Sequence, residues 1–174
     1  MELGQFIQEN GTVSSFQRHR HVFMQGDEDR SLYVVKEGLL KAYYLLDEGK
    51  ETIKSFLFPD DIIGSMTAAF SAQQCSFSLL CLQDCVLIRI PFDKLYECVQ
   101  AQPELALRVI DLLLNFSMKK ERREYELLCL SAEERYQMLL ERSPEISDYV
   151  TQNDIARYLG ITPVALSRIK KRLR

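Results

Sequence analysis

The stretch from Thr151 to Arg172, TQNDIARYLGITPVALSRIKKR, constrains this chain most, because it reads as two short helices joined by a tight turn. Thr151 is a good N-cap, and Asp154 stands three residues on, close to a capping box. Ile155, Ala156 and Leu159 then give an apolar stripe at helical spacing. Gly160 suits a helix end with positive φ. Ile161 is an apolar link, Thr162 can cap a second helix and Pro163 suits its first position. Val164, Leu166 (or Ala165) and Ile169 can supply the buried side of that helix.

The charge follows the same division. From Thr151 onward Arg157, Arg168, Lys170, Lys171, Arg172 and Arg174 face Asp154 alone, although the whole chain carries a net charge of −3. A compact basic helix pair on an acidic body is the footprint of a helix-turn-helix DNA reader. The alternative is a helical hairpin with a solvated cationic face.

The length of 174 residues suits one domain of ordinary size plus a smaller one, and a hydrophobic share of 47% places the chain among folded globular proteins. No run approaches the roughly 18 apolar residues of a membrane span. The start, MELGQFIQEN, lacks a basic region followed by an apolar core, so a cytoplasmic location without a signal peptide is expected. The cysteines, Cys75, Cys81, Cys85, Cys98 and Cys129, are odd in number and form no Cys-x-x-Cys. Reduced, mostly buried thiols are expected.

Leu3, Phe6 and Ile7 suggest a short opening helix. From Thr12 to Ile90 short strand-like runs alternate with turn residues. His21–Met24 precedes Gln25-Gly26-Asp27, Leu32–Val35 precedes Glu37-Gly38, Leu39–Leu46 precedes Asp47-Glu48-Gly49, and Thr52–Phe58 precedes Pro59-Asp60-Asp61. Ser76–Leu82 and Val86–Ile90 flank Gln83-Asp84. This texture indicates an all-β barrel or roll. Pro91 ends it, and Phe92, Leu95, Tyr96 and Val99 are spaced for one face of a helix.

Pro103 then marks a break or a first helical turn. From Glu104 to about Leu130 there is neither Gly nor Pro, which predicts a helix about 40 Å long. Leu105, Val109, Leu112 and Phe116 step by 4, 3 and 4, the spacing of a coiled coil. Ile110, Leu113 and Leu114 widen the apolar surface, toward the protein's own barrel on this reading. Lys119-Lys120-Glu121-Arg122-Arg123-Glu124 reads as a solvated face. A long helix apolar on two sides needs two partners, and a second copy of itself is the expected one, a buried monomeric helix being the alternative. Ser131-Ala132-Glu133-Glu134 is a capping box. A new helix with Tyr136, Leu139 and Leu140 inward is expected to run from there to about Arg142. The domain boundary therefore falls near Ser131, giving residues 1–130 and 131–174.

This order of parts resembles the cyclic-AMP receptor protein/FNR family of bacterial transcription regulators. Phe23-Met24-Gln25-Gly26-Asp27 resembles its early Gln-Gly-Asp turn. Leu32-Tyr33-Val34-Val35-Lys36-Glu37-Gly38 resembles its strand ending in a glycine turn. Glu48-Gly49-Lys50-Glu51 resembles the next turn, and Phe58-Pro59-Asp60-Asp61-Ile62-Ile63-Gly64 the approach to the effector pocket. Leu130-Ser131-Ala132-Glu133-Glu134-Arg135 resembles the entry to its DNA-binding domain. The resemblance implies an α+β fold: an N-terminal antiparallel β-roll of the cyclic-nucleotide-binding kind (a double-stranded β-helix), a long dimerisation helix at about 104–130, and a C-terminal helix-turn-helix of winged-helix type. The family usually continues past the recognition helix into a wing. This chain stops at Arg174, so a short or absent wing is expected.

Cyclic-nucleotide binders of the family follow a Gly-Glu pair with Arg-Ser or Arg-Thr. The Glu takes the ribose hydroxyl, and the Arg takes the phosphate by a bidentate contact no neutral side chain replaces. Here the pairs align as Gly64-Ser65 and Cys75-Ser76, and no Lys or Arg occurs from Ser55 to Ile88. The expectation is an effector pocket around Gly64, Ser65, Cys75 and Ser76 that does not bind cyclic AMP or cyclic GMP, with no cofactor, and with an unknown small effector left open. Met66, Phe70, Phe77 and Leu79 line that site or pack the roll shut. Cys75 is also a candidate redox thiol.

Other chemistries are less well supported. His19-x-His21 is like the metal motif of cupin enzymes, but Gln25 and Gly26 stand where its Glu belongs and no later His exists. The FNR iron–sulfur cluster needs amino-terminal cysteines, and none precedes Cys75. No catalytic Ser/His/Asp set, P-loop or nucleophile elbow appears, so a non-enzyme is expected.

By the resemblance, Thr162 to Arg172 enters the major groove. Arg168 is assigned a guanine contact through O6 and N7, and Val164 a thymine methyl group, with Pro163 beside it. Ser167 bonds a base or a phosphate. Gln152, Asn153 and Thr162 hold phosphates, while Lys170, Lys171 and Arg172 add electrostatic attraction. The expected partners are double-stranded DNA and a second copy of the chain, with RNA polymerase as a further partner and no membrane. The alternative function is a β-roll sensor or interaction module whose basic tail binds nucleic acid or protein non-specifically.

Overall fold

A computed structural model describes residues 2–173. Arg174, one of the cations counted above, lies outside the described residues. Among the described residues eight strands form two four-stranded antiparallel sheets. One has the order β1 (Thr12–Phe16), β8 (Cys85–Pro91), β3 (Ser31–Glu37), β6 (Ile62–Ile63). The other has the order β2 (His21–Phe23), β7 (Ser78–Cys81), β4 (Leu40–Leu45), β5 (Glu51–Leu57). The inward residues of both sheets, among them Phe23, Val35, Leu40, Leu79 and Leu87, close over one another as the roll's core. Each such side chain contributes about 1.5–3 kcal/mol on leaving water. At the turn between β3 and β4, Gly38 has φ +91°, and a Cβ there would stand 2.4 Å from the Asp84 carbonyl oxygen. Only glycine fits that approach.

The helices are α1 (Leu3–Asn10), α2 (Met66–Ser71), α3 (Phe92–Ala101), α4 (Pro103–Cys129), α5 (Ala132–Arg142), α6 (Ile146–Tyr149), α7 (Gln152–Leu159) and α8 (Pro163–Arg172). Pro103 is the first residue of α4, where its missing N–H costs nothing. Ser131 starts α5 with both hydrogen bonds of a capping box, and these hold the Glu134 carboxyl below its ordinary pKa. The strand-like texture did not single out β1, the two-residue β6 or the four-residue α6, each too short or too exposed to show a period.

The long helix requires a correction. Leu105, assigned to a dimer seam, is fully buried among Phe6, Leu32, Val34, Ile90 and Leu95 of the same chain. Val109 packs against that cluster, and Leu112 and Phe116 on the same stripe are part-buried. The residues expected to face the barrel lie outward instead: Ile110, Leu113 and Leu114 are 44–56% exposed, and Met118 beyond them is 58% exposed. Spacing reveals two apolar stripes but not which one the chain itself covers, and the docking of α1 and α3 on the first turns of α4 decides it. The charged segment that follows is not wholly solvated either. Arg123 is part-buried with its guanidinium 3.9 Å from the Tyr158 ring, and Glu126 is 1% exposed beside Arg142.

Candidate nucleic-acid interface and effector pocket

The last two helices meet as their turn chemistry requires. The Thr151 hydroxyl accepts from the Asp154 N–H at 3.1 Å and donates to its carboxylate at 2.9 Å. Gly160 ends α7 at φ 70°, and the Ile161 N–H reaches back to the Ala156 carbonyl. Thr162 then caps α8 by accepting from the Ala165 N–H at 3.2 Å, and Pro163 occupies the first turn. Leu166 and Ile169 form the inner side of α8. Val164, expected on that inner side as well as at a base, is 62% exposed and stands outward.

The outer face carries Thr162, Pro163, Val164, Ser167, Arg168 and Lys171. Gln152, Pro163, Ser167, Lys170 and Lys171 line a shallow groove between the start of α7 and α8. Asn153 is exposed at the start of α7, beside Gln152, whose Oε1 accepts from the Lys170 ammonium at 2.8 Å. Three of the cations in the charge balance from Thr151 onward, two of them also assigned electrostatic attraction, are engaged inside the chain. Arg172 pairs with Glu133 at 2.7 Å, Arg157 pairs with Glu51 at 2.6 Å, and Lys170 holds Gln152. Arg168 and Lys171 have no hydrogen-bond or ion-pair partner among the described residues.

The helix pair is seated on the roll. Tyr43 and Ile53 of the second sheet's outer side, with Leu39 of the turn before β4, share a core with Tyr136, Leu139, Ile155, Leu159 and Leu166. At its edge the Lys41 ammonium meets the Asp154 carboxylate at 3.1 Å and the Glu51 carboxylate at 3.0 Å. From the other side Arg123 donates to the Tyr158 carbonyl, and Arg135 donates to the Leu159 carbonyl at 3.0 Å. The last turn of α7 therefore has its free carbonyls satisfied by two cations of the preceding helices.

The pocket residues are also brought together. The Ser76 N–H donates to the Ser65 hydroxyl at 3.4 Å, and that hydroxyl lies 3.0 Å from the Thr67 hydroxyl. A Cβ on Gly64 would stand 2.6 Å from Leu32. The Cys75 N–H donates to the Asp27 carbonyl, its thiol contacts the Asp29 carbonyl, and burial raises the thiol pKa, which disfavours the reactive thiolate. Phe77 and Leu79 belong to the roll core and Met66, the first residue of α2, packs against the cluster of Phe6, Leu32 and Leu95, whereas Phe70 is exposed against the rings of Phe92 and Tyr96. Of the cupin-like pair, His21 is bonded to the Tyr43 hydroxyl at 2.8 Å. Two cations from outside the cation-free stretch Ser55 to Ile88 reach it: Arg30 donates to the Ala69 carbonyl at 3.1 Å, and from β5 comes Lys54. Its Nζ lies 4.5 Å from the Phe77 ring centroid. Nothing in the sequence marks the backbone irregularity that turns it there.

The roll and the helix pair docked on it make a two-part architecture. The cyclic nucleotide-binding domain family matches residues 13–102. The fumarate and nitrate reduction regulatory protein of Vibrio cholerae is 30% identical over 97% of this chain and 71% of its own length. The regulatory protein HlyX of Actinobacillus pleuropneumoniae is 28% identical over 88% of this chain and 68% of its own length. The anaerobic regulatory protein of Aggregatibacter actinomycetemcomitans is 30% identical, and the match spans 63% of its length. The solved structure of FixK2 from Bradyrhizobium japonicum superposes with a TM-score of 0.81 at 19% identity, over 94% of this chain and 84% of that one. A CooA variant from Carboxydothermus hydrogenoformans gives 0.77 at 15% identity, over 99% of this chain and 80% of that one. The chain belongs to the cyclic-AMP receptor protein/FNR family of transcription regulators. Among the described residues no helix is long and apolar enough to cross a membrane.

Proposed function

We propose that this chain is a homodimeric, sequence-specific DNA-binding regulator of transcription, without enzymatic activity, acting in the cytoplasm. Residues 131–174 read the DNA, and residues 1–130 supply the roll and the dimer helix. The observation that carries this is the division of the cations. Arg157 and Arg172 are consumed by carboxylates of the same chain, while Arg168 and Lys171 stand uncommitted on the exposed face of α8. A side chain that reads guanine must be free to present both donors to O6 and N7. Arg168 meets that condition, with Thr162, Pro163, Val164 and Ser167 beside it. Gln152, Asn153, Lys170 and Lys171 are in reach of the flanking phosphates.

The second copy is held through the exposed stripe of α4, and it places two recognition helices about 34 Å apart on one face of a duplex. RNA polymerase is the further partner a regulator of this kind addresses. The roll takes no cyclic nucleotide, because Ser65 and Cys75 occupy the positions of the family's ribose-binding Glu and phosphate-binding Arg. Selection of bound fragments from genomic DNA, followed by footprinting, tests the reading. A shared motif with two half-sites one helical turn apart supports it. Recovery of fragments with no common motif leaves only a non-specific basic surface.

A further inference from the structure

The last turns of α4 reverse the usual order of inside and outside. Glu126 is 1% exposed, while Tyr125, Leu127 and Leu128 around it are 45–76% exposed. A carboxylate is buried only where cations and donors meet it. Arg142 of α5 does so. Its Nη2 lies 2.9 Å from one oxygen of Glu126 and donates to the other at 3.0 Å. Arg123, one helical turn earlier on α4, brings its Nη1 to 3.8 Å from the same carboxylate.

Arg123 also reaches the reading helices. Its guanidinium lies 3.9 Å from the centre of the Tyr158 ring, and its Nη2 donates to the Tyr158 carbonyl. Arg135 of α5 donates to the next carbonyl, that of Leu159, at 3.0 Å, and to the Leu130 carbonyl just past α4 at 2.7 Å. Leu159 closes α7, and Gly160 turns the chain toward α8. The long helix therefore grips both helices that carry α8: α5 through Glu126 and α7 through Arg123. Neither residue lies on α8, whose outer face carries Arg168 and Lys171.

As a source of stability this arrangement is poor, because apolar side chains of similar size often hold a buried site as well as an ion pair does. What the ionic cluster adds is direction. A guanidinium bonds oxygens in a fixed plane, whereas apolar surfaces slide past one another. We propose that Arg123 and Glu126 are positioning residues that fix the angle between the long helix and α8, and so set the half-site spacing that a dimer of this chain accepts on DNA. The inference rests on the reading of the chain as a dimeric DNA reader. Each base pair added between half-sites moves one of them about 3.4 Å along the duplex and turns it about 35° around the axis. A clasped α8 cannot follow that turn, and an unclasped one can.

The test uses the full chain and duplexes built from the half-sites recovered by genomic selection. They carry the selected spacing, one or two base pairs more or fewer, or a single half-site, and affinity is read by fluorescence anisotropy. The native chain should prefer the selected spacing at least tenfold, which is about 1.4 kcal/mol. Arg123→Met and Glu126→Leu should each cut that preference to about threefold or less, about 0.7 kcal/mol, and bind the single half-site as the native chain does. Arg123→Lys keeps the charge without the planar hold and should behave like Arg123→Met. Urea midpoints and light scattering identify the folded dimers, and Arg123→Met, at a part-buried position, carries the test where Glu126→Leu does not fold. Variants as selective for spacing as the native chain overturn the inference. So does a native chain indifferent to spacing, or an equal loss by the variants on the single half-site and on every spacing, the mark of a merely structural role. A native chain that binds scrambled duplexes as tightly as selected ones overturns the regulator reading, and this inference with it.

Discussion

Lys41 and Asp154 are separated by 113 positions in sequence, and their side chains meet at 3.1 Å where both are less than a tenth exposed. Lys41 belongs to β4 of the roll and Asp154 to the first turn of α7, so the pair ties the roll to the C-terminal helix pair. Asp154 also accepts from its own N-cap, Thr151, and Lys41 is shared with Glu51, which in turn holds Arg157. Removing either member takes a close partner from a buried charge, Lys41 keeping only Glu51 and Asp154 only its Thr151 cap and the more distant Arg157, so the cost approaches that of a broken buried pair, about 3–5 kcal/mol. Asp154→Leu and Lys41→Met should each lower the urea midpoint by that order. The double substitution should cost clearly less than the sum, and a double-mutant cycle reads the coupling directly.

The two stripes of α4 should respond differently. Leu114→Glu puts a charge on a side chain that is 56% exposed and belongs to none of the buried clusters, so the fold should survive while light scattering shows a monomer at micromolar concentration. Leu105→Ala opens a cavity under α1 and α3 and should cost about 2–5 kcal/mol of stability with the oligomeric state unchanged.

At the reading face, Arg168→Ala should weaken a selected site by about 1–3 kcal/mol and relax the preference at one base position. Lys171→Ala should weaken all sequences alike and reduce the salt slope by about one. Arg172→Ala should change DNA affinity little, because Glu133 already neutralises that guanidinium. Titrations on matched and scrambled duplexes separate the three behaviours.

Burial, and then the charge of Lys120, push the Lys54 ammonium down from 10.5 to about 8. Between those two values the unfolded chain holds more protons at this position than the folded one, so stability rises with pH across that window. Below the folded value the full penalty of the buried charge is present. Lys54→Met should therefore raise the urea midpoint at pH 7 and flatten the difference between pH 7 and pH 10.

Much of the fold was legible in the sequence, because its signals are local. Thr151, Gly160, Thr162 and Pro163 prescribe a helix, a left-handed stop and a capped restart, and Ser131 with Glu134 prescribes the start of α5. The glycine- and aspartate-bearing turns separate the strands of the roll. What stayed hidden depends on contacts made far along the chain. Leu105 and Leu114 have the same periodicity, and only the docking of Phe6 and Leu95 tells them apart. Arg123 looked solvated until Tyr158 came under it. Arg157 and Arg172 counted as free charge until Glu51 and Glu133 were seen beside them. Lys54 was hidden by a single extra residue in β5, since strict alternation would have sent it to the other side of the sheet.

The most direct measurement is the anisotropy of a labelled duplex carrying the motif selected from genomic DNA, titrated with the full chain beside a scrambled duplex of equal length across a salt series. The account expects the selected duplex to bind at least about 10³-fold more tightly at physiological salt, with the preference abolished by Arg168→Ala. Equal affinity for both duplexes at every salt concentration would contradict it.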